Sequence, residues 1–146
     1  MSLMNEMKLT VPSCSANEAF ARVAVAAFAA QIDPDMNELS EIKTAVSEAV
    51  TNCIVHAYQE KIGKIYITAK LFEDRRLTIR IRDSGCGIED VKQAMEPLFT
   101  TGGSERAGLG FAVMENFMDK LTVRSKPGRG TVVTMEKRLK RRPPQE

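Results

Sequence analysis

The chain has 146 residues, 43% of them hydrophobic and 27% charged, with a formal net charge of +2. That length suits one domain with a full core. The charge is too small, and the basic residues too dispersed, to argue for nucleic acid; with no Trp, two Tyr and six Phe, stacking on single strands is disfavoured as well. Cys14, Cys53 and Cys86 are odd in number and widely spaced, so they form neither a disulfide framework nor a metal set, and they point to a reducing cytoplasm. The longest apolar run, Val23 to Ala30, falls far short of the ~20 residues of a membrane span, and no secretory leader opens the chain. Residues 1–4 read as an expression remnant.

Met7, Leu9 and Val11 alternate with polar residues, which predicts a strand ended by Pro12. Ser15 and Glu18 have the spacing of a capping box, opening a helix from about Ala16 to Gln31. Its buried face is expected at Phe20, Val23, Ala24, Ala27 and Phe28. Arg22, among alanines, reads from spacing alone as a solvated or snorkelling side chain. Asp33-Pro34-Asp35 is a stop and turn. A long amphipathic helix follows, from about Asn37 to Tyr58, with Ile42, Ala45, Val46, Ala49, Val50 and Cys53 on its apolar stripe. Glu48, Asn52 and His56 recur every four residues and form one polar row on the flank of that stripe.

Residues 65–71 and 77–81 alternate as two strands about the turn Glu73-Asp74-Arg75. The next inward position is Asp83. A carboxylate aimed at the core from a strand end is unfavourable without partners. Asp83-Ser-Gly85-Cys-Gly87 is a glycine-rich turn, and a short helix is expected from Ile88 to Met95. Pro97 to Ala107 reads as a loop, and Gly108-Leu109-Gly110 opens a helix from about Phe111 to Met118. Strands at Leu121 and Val123 and from Thr131 to Met135 flank a turn at Lys126–Gly130. The basic tail from Lys137 onward is expected to be solvated and frayed, and a nucleic-acid role for it is given little weight. Mixed strands and helices with two hairpins predict an α/β (α+β) two-layer sandwich, a mixed, mostly antiparallel sheet with helices on one face.

A Gly-x-Gly at a helix start exposes N–H groups and a positive dipole end to phosphate oxygens, but by itself it is a weak signal. The dinucleotide fingerprint, the P-loop and the protein-kinase set are all absent. The ordered combination says more: Glu48-x-x-x-Asn52 on a helix, Asp83-x-Gly85-x-Gly87 after a strand, a Gly/Thr loop, Gly108-x-Gly110, and Gly130-Thr131 on the last strand. From Glu41 to Met135 this resembles the Bergerat (GHKL) ATP-binding fold of histidine kinases, gyrase and the MutL proteins. The resemblance implies that Asn52 coordinates Mg²⁺ and that Asp83 accepts from the adenine amino group. It also implies that Gly85 and Gly87 let adenine and ribose pack on backbone, that the loop with Thr100 and Thr101 is a lid, that Gly108, Leu109 and Gly110 meet phosphates, and that Thr131 helps fix the base.

A sensor histidine kinase needs an upstream phosphoacceptor hairpin and gyrase a following transducer domain; this chain is read instead as a free-standing domain. The segments Asn17–Val23, Glu41–Asn52, Pro97–Thr101 and Met114–Met118 resemble the anti-sigma-factor serine kinases, the sporulation anti-sigma F branch more than the stress-response anti-sigma B branch. That resemblance implies a homodimer that binds ATP/ADP and Mg²⁺, holds a sporulation sigma factor inactive, and phosphorylates a serine of an anti-anti-sigma protein. It implies Glu48 as base or orienting acceptor for that serine, and Arg22 as a partner contact. The lid carries no Lys after its Thr pair, so phosphate neutralisation would fall to Arg106 or to the partner. An ATP-gated binding module without phosphoryl transfer is the alternative. His56 is read as packing on the helix flank, and Cys86 has no assigned role.

Overall fold

A computed structural model describes residues 2–96 and 104–140, with backbone alone for 104–108. Five strands form one sheet in the order β1-β2-β3-β5-β4: β1 (Leu3–Pro12), β2 (Lys64–Phe72), β3 (Arg76–Asp83), β4 (Lys120–Lys126) and β5 (Gly130–Arg138). Every neighbouring pair is antiparallel, so the expectation of a mixed sheet is corrected. Alternation along the central strands explains the layering. Ile65, Ile67, Ala69 and Leu71 of β2 face the core with Leu77, Ile79 and Ile81 of β3, while Tyr66, Lys70, Arg80 and Arg82 take the other parity.

The helical layer comprises α1 (Ala16–Ala29), α2 (Met36–Asn52), α3 (Val91–Ala94) and α4 (Ser104–Phe117). Helix α2 is central, packed between α1 and α4, with Ile42, Val46 and Val50 fully buried. Its start is a capping box that the sequence reading took for a simple turn. The Asp35 carboxylate accepts from the Glu38 N–H (2.7 Å), and the Asp35 N–H donates to Glu38 Oε1 (3.0 Å). The box expected at Ser15 does not form; Glu18 instead accepts from the Ser47 hydroxyl and pairs with Arg22 at 3.5 Å.

Two further expectations are corrected. Helix α1 buries Ala21, Val25, Phe28 and Ala29, leaving Phe20 and Val23 more than half exposed. In a run this rich in alanine, the small residues are the ones that let α1 approach its neighbours closely. The chain after Met135 is not frayed where it is described. Lys137 is buried, its ammonium donating to Glu41 Oε2 (2.7 Å) and to the Phe117 carbonyl at the end of α4 (2.7 Å). Leu139 is buried beside it, and the Lys140 N–H donates to Glu38 Oε2 (2.8 Å). The last strand thus ties together the first turns of α2 and the end of α4. Among the described residues no helix is long and apolar enough to cross a membrane.

Candidate functional site

The site is organised by a break in the central helix. Helix α2 ends at Asn52, and Cys53–Ala57 form a π-helical turn closed by the Tyr58 N–H on the Cys53 carbonyl (3.1 Å). The regular helix expected to run on to Tyr58 is therefore widened by one residue, a device common at functional sites. The row Glu48–Asn52–His56 does not continue straight, and His56 turns into the wall of a cavity of about 400 Å³. Asn52, Cys53, Asp83, Gly87, Phe111 and Thr131 line the same cavity.

Asp83 ends β3 with its side chain inward, as strand parity predicts, and is only 6% exposed. Oδ1 accepts from the Gly85 N–H (2.9 Å) and the Thr131 N–H (3.2 Å). Among the described residues Oδ2 receives the Cys53 thiol alone, a weak donor, at 3.5 Å. One oxygen is saturated by backbone while the other keeps acceptor capacity at the cavity. Burial raises the Asp83 pKa above the ordinary carboxylate value, opposed by the Gly85 N–H, the Cys53 thiol, the Thr131 N–H and the charge of Arg82. Burial, then the negative charge of Asp83, hold the Cys53 thiol well above its usual range, so it remains a donor.

The glycine turn is clamped from both sides. A Cβ on Gly85 would meet the Ala57 carbonyl oxygen at 2.4 Å, and one on Gly87 (φ +75°) would meet that of Lys126 at 2.1 Å. Gly87 lines the cavity and Gly85 does not. Both glycines are thus required by close packing against the π turn and the β4–β5 hairpin, a reason distinct from the ligand contact expected of them. The exposed Cys86 contributes to the clamp through its backbone, donating to the Ala57 carbonyl (3.0 Å) and accepting from the Gly128 N–H (2.7 Å).

On the other side of Asn52, α4 crosses α2. A Cβ on Gly110 would lie 3.0 Å from Glu48 Oε2 and 3.5 Å from both polar atoms of the Asn52 carboxamide. Glu48 and Asn52, one turn apart, therefore converge on one side-chain-free point of α4. Among the described residues the buried Asn52 amide nitrogen has no partner, a cost that a bound group would relieve. Helix α4 begins at Ser104 rather than at Gly108. Gly108 and Gly110 therefore lie inside the helix, not at its open N-terminus, and Leu109 is exposed. Thr100 and Thr101 lie outside the described residues, as does the Arg106 side chain. Arg22 is on α1, away from the cavity.

Several participants escaped sequence reading. Cys53 was assigned only to the apolar stripe, yet its thiol reaches Asp83. The buried Tyr58 hydroxyl accepts from the Ser84 N–H (2.6 Å) and donates to the Lys64 carbonyl (2.7 Å), pinning the turn after Asp83. Ser125 on β4 contacts Thr131 Oγ1 (2.8 Å) and accepts from the Ile88 N–H (2.7 Å). Among the described residues no group of three or more His, Cys, Asp or Glu is placed to hold a metal ion, so a cation here would depend on Asn52 and on its ligand's own oxygens.

The raised Asp83 pKa has a definite sign. Folding makes Asp83 easier to protonate than it is in the unfolded chain, so its stabilising contribution is full below the ordinary carboxylate range and is lost as pH rises through the raised value. Asp83→Asn can keep both backbone bonds without that charge. The stability of Asp83→Asn relative to the native chain is expected to increase between about pH 4 and pH 8. Thermal unfolding of both proteins across that range checks this; a constant difference would contradict it.

Residues 11–137 match the family described as the histidine kinase-like ATPase domain. An anti-sigma F factor of Caldanaerobacter subterraneus subsp. tengcongensis is 58% identical over 142 residues, covering 97% of this chain and 99% of the relative. One from Bacillus subtilis is 52% identical over 139 residues, covering 94% of each. Among solved structures, the RsbU and RsbW domains of a Mycobacterium tuberculosis protein superpose with a TM-score of 0.71 at 20% identity, over 95% of this chain and 34% of that one. The histidine kinase domain of an Erythrobacter litoralis blue-light-activated kinase gives 0.55 at 18% identity, over 84% of this chain and 61% of that one. These two likenesses concern the fold. With a cavity built on Asp83, Asn52 and the glycine turn, and with identity sustained over nearly the whole length of its relatives, the chain belongs to the anti-sigma F factor family within the histidine kinase-like ATPase domains.

Proposed function

We propose that this protein binds ATP and ADP with Mg²⁺, holds a sporulation sigma factor inactive, and phosphorylates a serine of an anti-anti-sigma protein. The observation that carries the kinase reading is the convergence of Glu48 Oε2 and the Asn52 carboxamide on Gly110. It supports that reading because the proposed acid–base group stands one helical turn from the group proposed for phosphate and metal. The residues fit the cofactor. Among the described residues the buried Asn52 amide nitrogen has no partner and is suited to a phosphate oxygen, and the carboxamide oxygen is a hard ligand of the kind magnesium takes beside phosphate oxygens. Mg²⁺, when bound, neutralises charge on the phosphates. Asp83 Oδ2 accepts from the exocyclic amine of the base, and Phe111 and Val133 supply an apolar wall. Glu48 orients the acceptor serine hydroxyl and takes its proton as the γ-phosphoryl group of ATP passes to the serine oxygen, breaking its bond to the β–γ bridging oxygen and leaving ADP.

The sigma-factor reading is supported by the names and near full-length identity of the relatives. Arg22 is assigned to partner contact: Glu18, itself accepting from Ser47 on α2, holds the guanidinium on α1. The exposed Phe20 and Val23 of α1 we assign to the second copy of a homodimer.

Glu48→Gln is expected to lower phosphorylation of an anti-anti-sigma protein by about 10²–10⁴-fold, with ATP affinity changed only a few-fold. Radiolabel transfer and calorimetry check this. Unchanged turnover would remove Glu48 from the chemistry. No transfer by the native protein, with ATP-dependent sigma binding intact, would favour an ATP-gated binding module. Phe20→Glu with Val23→Asp is expected to yield a folded monomer in light scattering; a persisting dimer would move the interface elsewhere.

A further inference from the structure

Ser125 stands behind the cavity, on β4, outside its lining. Its hydroxyl oxygen has three neighbours at hydrogen-bonding distance: the Ile88 N–H at 2.7 Å, the Gly130 carbonyl oxygen at 2.9 Å and Thr131 Oγ1 at 2.8 Å. A hydroxyl offers one proton and two lone pairs. The Ile88 N–H can only donate, so it occupies one lone pair. The Gly130 carbonyl can only accept, so it claims the single proton. What remains at Ser125 is one lone pair, and it faces Thr131. Only one arrangement puts a proton in every gap: Thr131 donates to Ser125. The reverse would bring the Ser125 and Gly130 oxygens together at 2.9 Å with no proton between them.

The consequence reaches the cavity. Thr131 is buried and lines it, and its backbone N–H is already committed to Asp83 Oδ1. With its hydroxyl proton turned away toward Ser125, Thr131 Oγ1 offers only lone pairs to a ligand. Asp83 Oδ2 also accepts. The two side chains at this end of the cavity therefore share one polarity, imposed on Thr131 by a residue outside the cavity lining.

We propose that Ser125 is a specificity-determining residue which, by orienting the Thr131 hydroxyl, makes the site select a purine with an amino group at the 6 position and reject one with a carbonyl there. This rests on the adenine-nucleotide reading above and deepens it. A 6-amino group brings donors to two acceptors; a 6-oxo group brings a third acceptor into a buried site. Ser125 is a positioning residue acting through Thr131, and its bond to Ile88 holds the chain after the glycine turn as a separate role.

The test compares ADP with inosine diphosphate, which differ at the 6 position and the adjoining ring nitrogen, by calorimetry with Mg²⁺. The native protein is expected to prefer ADP. Ser125→Ala, which frees the Thr131 hydroxyl to rotate and donate, is expected to narrow that preference by about tenfold; Ser125→Thr, which keeps the hydroxyl, should preserve it. In a Thr131→Val background, Ser125→Ala should change the preference no further. Should Ser125→Ala fail to fold, Ser125→Cys, with a weaker donor and acceptor, is expected to narrow the preference in the same direction. Equal loss of affinity for both nucleotides, or narrowing that persists in the Thr131→Val background, would overturn the proposal and leave Ser125 as an anchor for Ile88 alone. Absence of any ADP preference in the native protein would overturn the adenine reading itself.

Discussion

The structure depends on a carboxylate kept where carboxylates are costly. Asp83 is buried at the end of the central strand β3, and two backbone N–H groups, from Gly85 and Thr131, hold one of its oxygens. Those two donors come from the turn after β3 and from the start of β5, so the clasp fixes the relative position of the elements that surround the cavity. A neutral side chain would pack there at less cost, because burial pushes Asp83 toward its protonated form. The remaining oxygen, facing a weak thiol donor, is what the site gains from that expense.

The rest of the site can be read as support for this point. The π turn after Asn52 swings Cys53 and His56 to the cavity and places Ala57 against the glycine turn. Tyr58 closes the other side through Ser84. Across the helix, the missing side chain at Gly110 makes room for Glu48 and Asn52 to meet. The proposed base recognition and phosphate chemistry are thus assigned to neighbouring parts of α2, where Cys53 meets Asp83 and where Glu48 and Asn52 meet Gly110.

Much of this was legible in the sequence because it rests on local period. Alternation in β2 and β3 placed Asp83 on the inward parity, and four-residue spacing put Glu48 and Asn52 on one ridge. What was not legible depends on contacts between distant segments. The buried face of α1 was misassigned because a helix of alanines carries little amphipathic contrast: Ala21 and Ala29 are buried while Phe20 and Val23 are not. Lys137 looked like the start of a solvated tail, and only the arrival of Glu41 and the Phe117 carbonyl makes its burial favourable. The π turn has no periodic signature, and nothing in the local sequence marks Ser125. Its role appears only when β5 and the glycine turn surround it.

The central claim is that the free oxygen of the buried Asp83 carboxylate recognises the base of a nucleotide. Calorimetric titration of ADP with Mg²⁺ into the native protein and into Asp83→Asn tests it most directly, because the substitution keeps the backbone clasp while placing an amide at the recognising position. The account predicts a loss of affinity of at least about tenfold in a variant that remains folded. Equal affinity in the two proteins would contradict it.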